Sequence, residues 1–237
     1  MKHSQQGTDE GPENGRFSAK EAEFLAQNLP DCPPERLHSA LGLLGAHLDE
    51  LETWAPRLNL VGAATRMEWL RRHFLDSLLA AAFLEQRWGG RVQSLVDIGS
   101  GAGFPGLPLA AILQPQRTIL IEPRQRRAHF LRAVARRWPD MPVEVANTRL
   151  ESFAERLPRA AVVSRATFSD QTELLRGCLP WTGEGSIVMA LCAPTAPRPA
   201  RELPQGAFEE LEPTSYRLPG GSEDHQLRFW RRGRPDI

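Results

Sequence analysis

The chain has 237 residues, 41% of them hydrophobic, which is enough for one substantial α/β domain with an extension and a core of its own. Its 29 basic and 29 acidic residues cancel, and no run approaches the ~18 uninterrupted apolar residues of a membrane span. Three cysteines, Cys32, Cys178 and Cys192, show no CxxC or Cys/His ligand spacing, which sets aside a disulfide scaffold and a structural metal site. The polar N-terminal stretch lacks the apolar core of a secretory signal, so the expectation is a cytoplasmic, monomeric protein.

Residues 1–15 are rich in Gly, Gln, Glu and Asn without periodicity and read as a disordered tail. From 16 to 90 the pattern is helical. Leu37, Leu41, Leu44, Leu48, Leu51 and Trp54 recur at steps of three and four, which predicts an amphipathic helix from Pro33 to about Pro56, its stripe turned to the core. A second helix is predicted from about Thr65 to Trp88, with Trp69, Leu70, Phe74, Leu78 and Leu79 on its apolar side. Over 91–237 short β-rich runs alternate with helices: strands at 94–98, 117–121, 142–146, 160–164 and 185–191, helices at 105–114, 124–138, 149–156 and 169–179. Such alternation predicts βαβ units and a doubly wound, mostly parallel sheet. Strands near 206–211 and 226–231, either side of Pro219-Gly220-Gly221-Ser222, predict an antiparallel hairpin closing that sheet.

The segment Val96-Asp97-Ile98-Gly99-Ser100-Gly101-Ala102-Gly103-Phe104-Pro105-Gly106 joins the first strand to its helix through a glycine-rich turn. Glycines there permit positive φ and let backbone N–H groups approach a ligand. Two signatures fit. Gly101-x-Gly103-x-x-Gly106 matches the dinucleotide fingerprint of NAD(P)-dependent oxidoreductases, whereas Asp97-x-Gly99-x-Gly101-x-Gly103 resembles the first motif of class I methyltransferases, which hold S-adenosylmethionine (SAM). Glu122, closing the second strand, suits the ribose hydroxyls of either cofactor and does not arbitrate. The absence of a catalytic Tyr-x-x-x-Lys pattern counts against the oxidoreductase. Gly99, Glu122, Asn147 and Ser164-Arg165 all fall at the carboxyl ends of predicted strands, where sheets of this kind bind ligands.

Three segments together resemble the bacterial RsmG family, also called GidB. They are Asn59-Leu60 followed by Arg72-His73-Phe74-Leu75-Asp76-Ser77-Leu78, the glycine turn itself, and Ser164-Arg165-Ala166 after the fourth strand. The similarity runs from about residue 37 to 191. It implies a class I methyltransferase fold, Rossmann-like, preceded by a small helical N-terminal region. It also implies the activity of a SAM-dependent rRNA (guanine-N7)-methyltransferase acting on a guanosine in the 530 loop of 16S ribosomal RNA, with the small ribosomal subunit as partner. A divergent ribosome-binding protein that keeps the fold without the activity is the alternative from another class.

Carried over residue by residue, the resemblance implies cofactor contacts at Gly99, Gly101, Gly103, Phe104, Glu122, Leu150, Glu151 and Arg165. Gly99 would lie beside the methionine moiety, Phe104 over an apolar part of the cofactor, Glu122 at the ribose diol, and Leu150 and Glu151 about the adenine. An ion pair from Arg165 to Asp97 or Glu122 is the structural alternative. No residue is assigned as catalytic, because guanine N7 carries a lone pair and no proton, so transfer needs positioning rather than a general base. His73, Asp76 and Ser77 are expected to hold the N-terminal helices against the turn. For RNA, residues 54–137 hold thirteen arginines against five acids, and residues 123–138 hold six arginines and no acid. Arg126 and Arg127 match the family's Lys-Arg pair, with Arg72 and also Arg57, Arg66 and Arg71 extending the patch. The chain departs from the family in having Cys192-Ala193 for the usual Lys-Gly, and Asp224-His225 for Arg-His.

Overall fold

The structure, a computed structural model, describes residues 17–62, 64–168, 170–199 and 206–233. The expected tail at 1–15 lies outside them. Helix α1 (Ala19–Asn28) opens on a Ser18/Glu21 capping box, and Glu21 also receives Arg66 Nε at 2.6 Å. Helix α2 (Pro34–Leu58) carries the leucine stripe, burying Leu37, Leu44, Leu48 and Leu51. It runs through Pro56 and stops at Asn59, whose left-handed backbone caps it. The predicted second helix is α3 (Arg66–Trp69), a π-helical stretch (Leu70–Leu75) and α4 (Asp76–Trp88) in one rod. The π stretch falls on the Arg-His-Phe-Leu segment, and such insertions recur at functional sites.

Seven strands follow: β1 (Ser94–Ile98), β2 (Arg117–Ile121), β3 (Val143–Ala146), β4 (Ala161–Arg165), β5 (Ile187–Cys192), β6 (Phe208–Arg217) and β7 (Asp224–Arg232), with helices α5 (Gly106–Leu113), α6 (Gln125–Arg136) and α7 (Gln171–Cys178) between them. The sheet order is β3-β2-β1-β4-β5-β7-β6, parallel over the first five strands, with β7 antiparallel to both β5 and β6. The order reverses between β1 and β4, so a crevice opens beyond their carboxyl ends. Side-chain alternation along the strands feeds two cores. Leu95, Val163, Met189 and Phe229 join the helices α2, α4, α5 and α6 in the larger one, while Val96, Val162, Val188 and Trp230 pack with α7 and Leu150 in the other.

Two predicted elements differ. The helix expected at 149–156 is only a 3-10 turn, Leu150–Ser152. Leu157 bonds as strand would, its N–H to Trp181 O and its carbonyl from Gly183 N–H, and Leu150 sinks into the second core. Tertiary pairing therefore overrides the weak local helical pattern. The hairpin strands are longer than the sequence suggests, because β6 passes Pro213 with a register shift between Leu211 and Thr214. A proline is tolerated there because β6 is an edge strand. Among the described residues no helix is long and apolar enough to cross a membrane, and the three cysteines are free.

Candidate functional site

The glycine turn is shaped by its own backbone bonds. Gly99 N–H and Ser100 N–H both donate to Ile121 O, at 2.8 and 3.1 Å, and Gly103 N–H donates to Ser100 O. Gly99, Gly101 and Gly103 have φ of 71°, 56° and 85°, the region that favours glycine. A Cβ on Gly99 would lie 2.4 Å from Thr167 Cγ2, and one on Gly103 would lie 2.3 Å from Leu107 Cδ1. Asp97, fully buried, accepts the N–H of Gly106 at 3.1 Å and so fixes the start of α5; burial pushes its carboxyl up to about 7.

Glu122 ties the second strand to the turn. Its Oε2 accepts Gly101 N–H at 2.9 Å and its Oε1 accepts Arg124 N–H at 2.8 Å, leaving further lone pairs on both oxygens. Asn147, after β3, donates to Glu122 O at 2.8 Å. From behind, His47 of α2 brings Nε2 to 2.8 Å from Ala102 O. Burial drives this imidazole down to about 4, so it is neutral, and the bond to a carbonyl puts its proton on Nε2. The His47 ring also touches Phe74, Phe104 and Phe130.

These elements border a cleft of ≈ 440 Å³ whose walls include Leu60, His73, Gly99, Phe104, Glu122 and Arg165. A second cavity of ≈ 740 Å³ is walled by Asn147, Leu150 and Glu151 and shares Gly99, Pro123, Arg124 and Thr167 with the first, so the two form one trough. Its size suits a small-molecule ligand. Of the expected contacts, Gly99, Gly101, Phe104, Glu122 and Arg165 line the first part, and Leu150 and Glu151 the second. Gly103 is the exception: it is absent from both walls and serves the packing of Leu107 and His47.

Arg165 pairs neither with Asp97 nor with Glu122. Its Nη1 lies 3.4 Å from Asp76 Oδ2, and its guanidinium carbon stands 5.2 Å from the centroid of Phe104. Burial lowers its pKa and the Asp76 charge opposes that shift. His73 stacks 5.1 Å from Phe104; burial first, then the charges of Arg165 and Arg72, drive it to about 3. Asp76 bridges farther than the N-terminal helices, accepting Tyr216 Oη–H at 2.5 Å from the hairpin, while the Ser77 hydroxyl donates back along the rod to His73 O.

The basic patch divides. Arg66 is spent on Glu21 and Glu52, and Arg137 on Glu50 and Asp49. Arg57, Arg72, Arg126 and Arg127 have no carboxylate within 4 Å among the described residues. Arg126 is exposed, whereas Arg127 turns to the cleft, its Nη1 standing 3.5 Å from where a Gly101 Cβ would be. Asp224, the family departure, is held by Arg217 at 2.6 Å. His47, Thr167 and Tyr216 were not singled out by the sequence. A polar residue on a leucine stripe signals the first, and Tyr216 is the chain's single tyrosine.

The sequence model of the family described as GidB, rRNA small subunit methyltransferase G, matches residues 41–210. Ribosomal RNA small subunit methyltransferase G of Salmonella agona (strain SL483) is 32% identical over 149 residues, covering 63% of this chain and 69% of its own length. The protein of the same name from Yersinia enterocolitica serotype O:8 / biotype 1B is 31% identical over 157 residues, covering 65% and 71%. Among solved structures, the N-methyltransferase NodS from Bradyrhizobium japonicum WM9 in complex with S-adenosyl-L-homocysteine (SAH) superposes with a TM-score of 0.52 at 17% identity, covering 77% of this chain and 98% of that one. TrmN from Thermus thermophilus gives 0.50 at 18%, covering 69% and 53%. These two likenesses establish a methyltransferase fold.

Proposed function

Because the chain belongs to the GidB family, rRNA small subunit methyltransferase G, we propose that it transfers a methyl group from SAM to N7 of a guanine in the 16S ribosomal RNA of the small ribosomal subunit. The observation that carries this reading is the convergence of Gly99, Glu122 and Arg165, from three different strand ends, on one trough beside Arg127, which has no carboxylate within 4 Å among the described residues. The trough fits the cofactor. Glu122 keeps acceptor capacity for a ribose diol after bonding two amides, Gly99 and Gly101 bring backbone to the cleft wall, and Leu150 with Glu151 offers one apolar and one polar contact to an adenine. When bound, SAM supplies an electrophilic sulfonium methyl.

The side chains then act by position and charge. His73, held neutral, forms with Phe104 an aromatic wall of the cleft and adds no cation beside a sulfonium. Asp76 neutralises Arg165 for the same end. Neither imidazole nor carboxylate is asked to take a proton, since N7 has none to give. Arg72 and Arg126 serve as phosphate contacts that set register on the RNA, and Arg127 bridges that surface and the cleft. The protein works as a monomer in the cytoplasm. Incubation of undermethylated small subunits with labelled SAM, followed by mapping of the modified base, tests this. Binding of subunits without transfer would identify a ribosome-binding protein, and binding of NAD(H) but not SAM would identify an oxidoreductase.

A further inference from the structure

The hairpin β6–β7 reaches the cleft through one buried carboxylate. Asp76, at the start of α4, is 4% exposed, and three groups from outside its helix meet it. Tyr216 Oη donates to Oδ1 at 2.5 Å, His225 Nδ1 lies 3.5 Å from the same oxygen, and Arg165 Nη1 lies 3.4 Å from Oδ2. Tyr216 and His225 face each other across the hairpin, their rings 5.4 Å apart. Beyond Arg165 the backbone is strained: Ala166 has φ 49°, and Thr167 Oγ1 lies 3.2 Å from both Arg165 O and Ile98 O. Non-glycine residues are held in such a conformation where the surroundings over-determine it, commonly at functional sites.

We propose that Tyr216 is a positioning residue of the methyl-transfer site, fixing the Arg165 guanidinium against the cleft through Asp76, so that the C-terminal hairpin is a working part of the site as well as the sheet edge. This rests on the reading of the trough as the place where SAM and guanine meet. A carboxylate rotates freely unless one oxygen is pinned; with Oδ1 held by the phenol, Oδ2 faces Arg165. A phenol orients without adding charge, which matters beside a sulfonium. Burial and the Asp76 charge both push the Tyr216 hydroxyl above its ordinary range, so it stays a donor. The tether does not hold the hairpin in place by itself. Arg87 bonds Glu212 O and Thr214 Oγ1 at 2.9 Å and stacks on Phe229, and Arg71 reaches Pro219 O. Loss of one hydroxyl therefore leaves the hairpin docked.

The test is a cycle of Tyr216→Phe, Arg165→Gln and the double variant, assayed by methyl transfer to undermethylated small subunits and by calorimetric SAH binding. Tyr216→Phe should lower kcat about tenfold with KM for subunits within about twofold, the scale of one hydrogen bond to a charged group. In the Arg165→Gln background the same change should cost less than about twofold. An equal loss in both backgrounds would make Tyr216 a structural tether and overturn the proposal. Because Tyr216 is the single tyrosine, a 13Cζ label gives one resonance. Saturating SAH should shift it in the wild type and leave it in place in Arg165→Gln; no shift in a wild type that binds SAH overturns the proposal alone. A wild type that neither binds SAH nor methylates subunits overturns the assignment of the trough, and the proposal with it.

Discussion

Gly99→Ala puts the glycine turn under the most direct strain. At φ 71° an L-residue costs about 1 kcal/mol relative to glycine. The new Cβ would stand 2.4 Å from Thr167 Cγ2 and 2.5 Å from Thr167 Oγ1, so Thr167 has to move. It is exposed and can do so, but only by breaking its contacts at 3.2 Å with Ile98 O and Arg165 O, about 1 kcal/mol more. The alternative, a shift of the turn itself, breaks the 2.8 Å bond from Gly99 N–H to Ile121 O. The expected loss is about 2 kcal/mol of folding stability in urea, together with at least a tenfold weaker SAH affinity by calorimetry, since Gly99 and Thr167 wall both halves of the trough. Thr167→Gly alone loses the same two contacts, about 1 kcal/mol, so the changes should be non-additive: the double variant should lose about 2 kcal/mol, not the sum of about 3. A Gly99→Ala protein within about 0.5 kcal/mol of wild type that binds SAH equally well would refute the reasoning, as would losses that simply add in the double variant.

Asp97 and the two buried histidines give opposite pH dependences. Asp97 titrates near 7 in the fold against 3.8 as its ordinary value, so the native state holds a proton that the unfolded chain releases, and stability falls as pH rises from about 4 to about 7. His47 and His73, at about 4 and about 3 against 6.5, cost stability as pH falls below about 6.5. Asp97→Asn keeps the acceptor for Gly106 N–H and removes the first effect; proton uptake on unfolding between pH 5 and 6 should rise by about one, read from urea midpoints across a pH series, and parallel curves would exclude it. His47→Phe preserves the ring contacts but orphans Ala102 O, so it should cost about 1–3 kcal/mol in urea unfolding and weaken SAH binding; an unchanged midpoint would remove His47 from the turn's support. Arg126→Glu should weaken RNA binding and lower the salt slope by about one while sparing SAH affinity, whereas Arg127→Glu should reduce both. Equal RNA affinity across a salt series for both variants would take this helix out of the interface.

The parallel sheet, the glycine turn and the leucine stripe were legible because each rests on local periodicity or on a backbone requirement that few residue types satisfy. The 149–156 segment departs from its local helical pattern because its conformation is set by a strand-like pairing of Leu157 with Trp181 and Gly183, which no local pattern announces. The π-helical stretch at Leu70–Leu75 was invisible for the same reason, since its sequence reads as ordinary helix. Position at a strand end sufficed to place Gly99, Glu122 and Arg165 along the cleft. Gly103 lies off the walls of the trough, and a Cβ there would meet Leu107.

By itself, then, the sequence determined the doubly wound sheet, its closing hairpin and the family, because apolar period, glycine spacing and the Arg-His-Phe-Leu-Asp-Ser-Leu segment are properties of neighbouring residues. Only the tertiary structure decided who meets whom. It gave Arg165 to Asp76 rather than to Asp97 or Glu122, took Arg66 and Arg137 out of the free basic surface, turned Arg127 into the cleft, and brought His47 and Tyr216 to the turn and the carboxylate that need them. Partners up to 140 residues apart are chosen by packing and by the cost of leaving a buried polar group unpaired, and both depend on the completed fold.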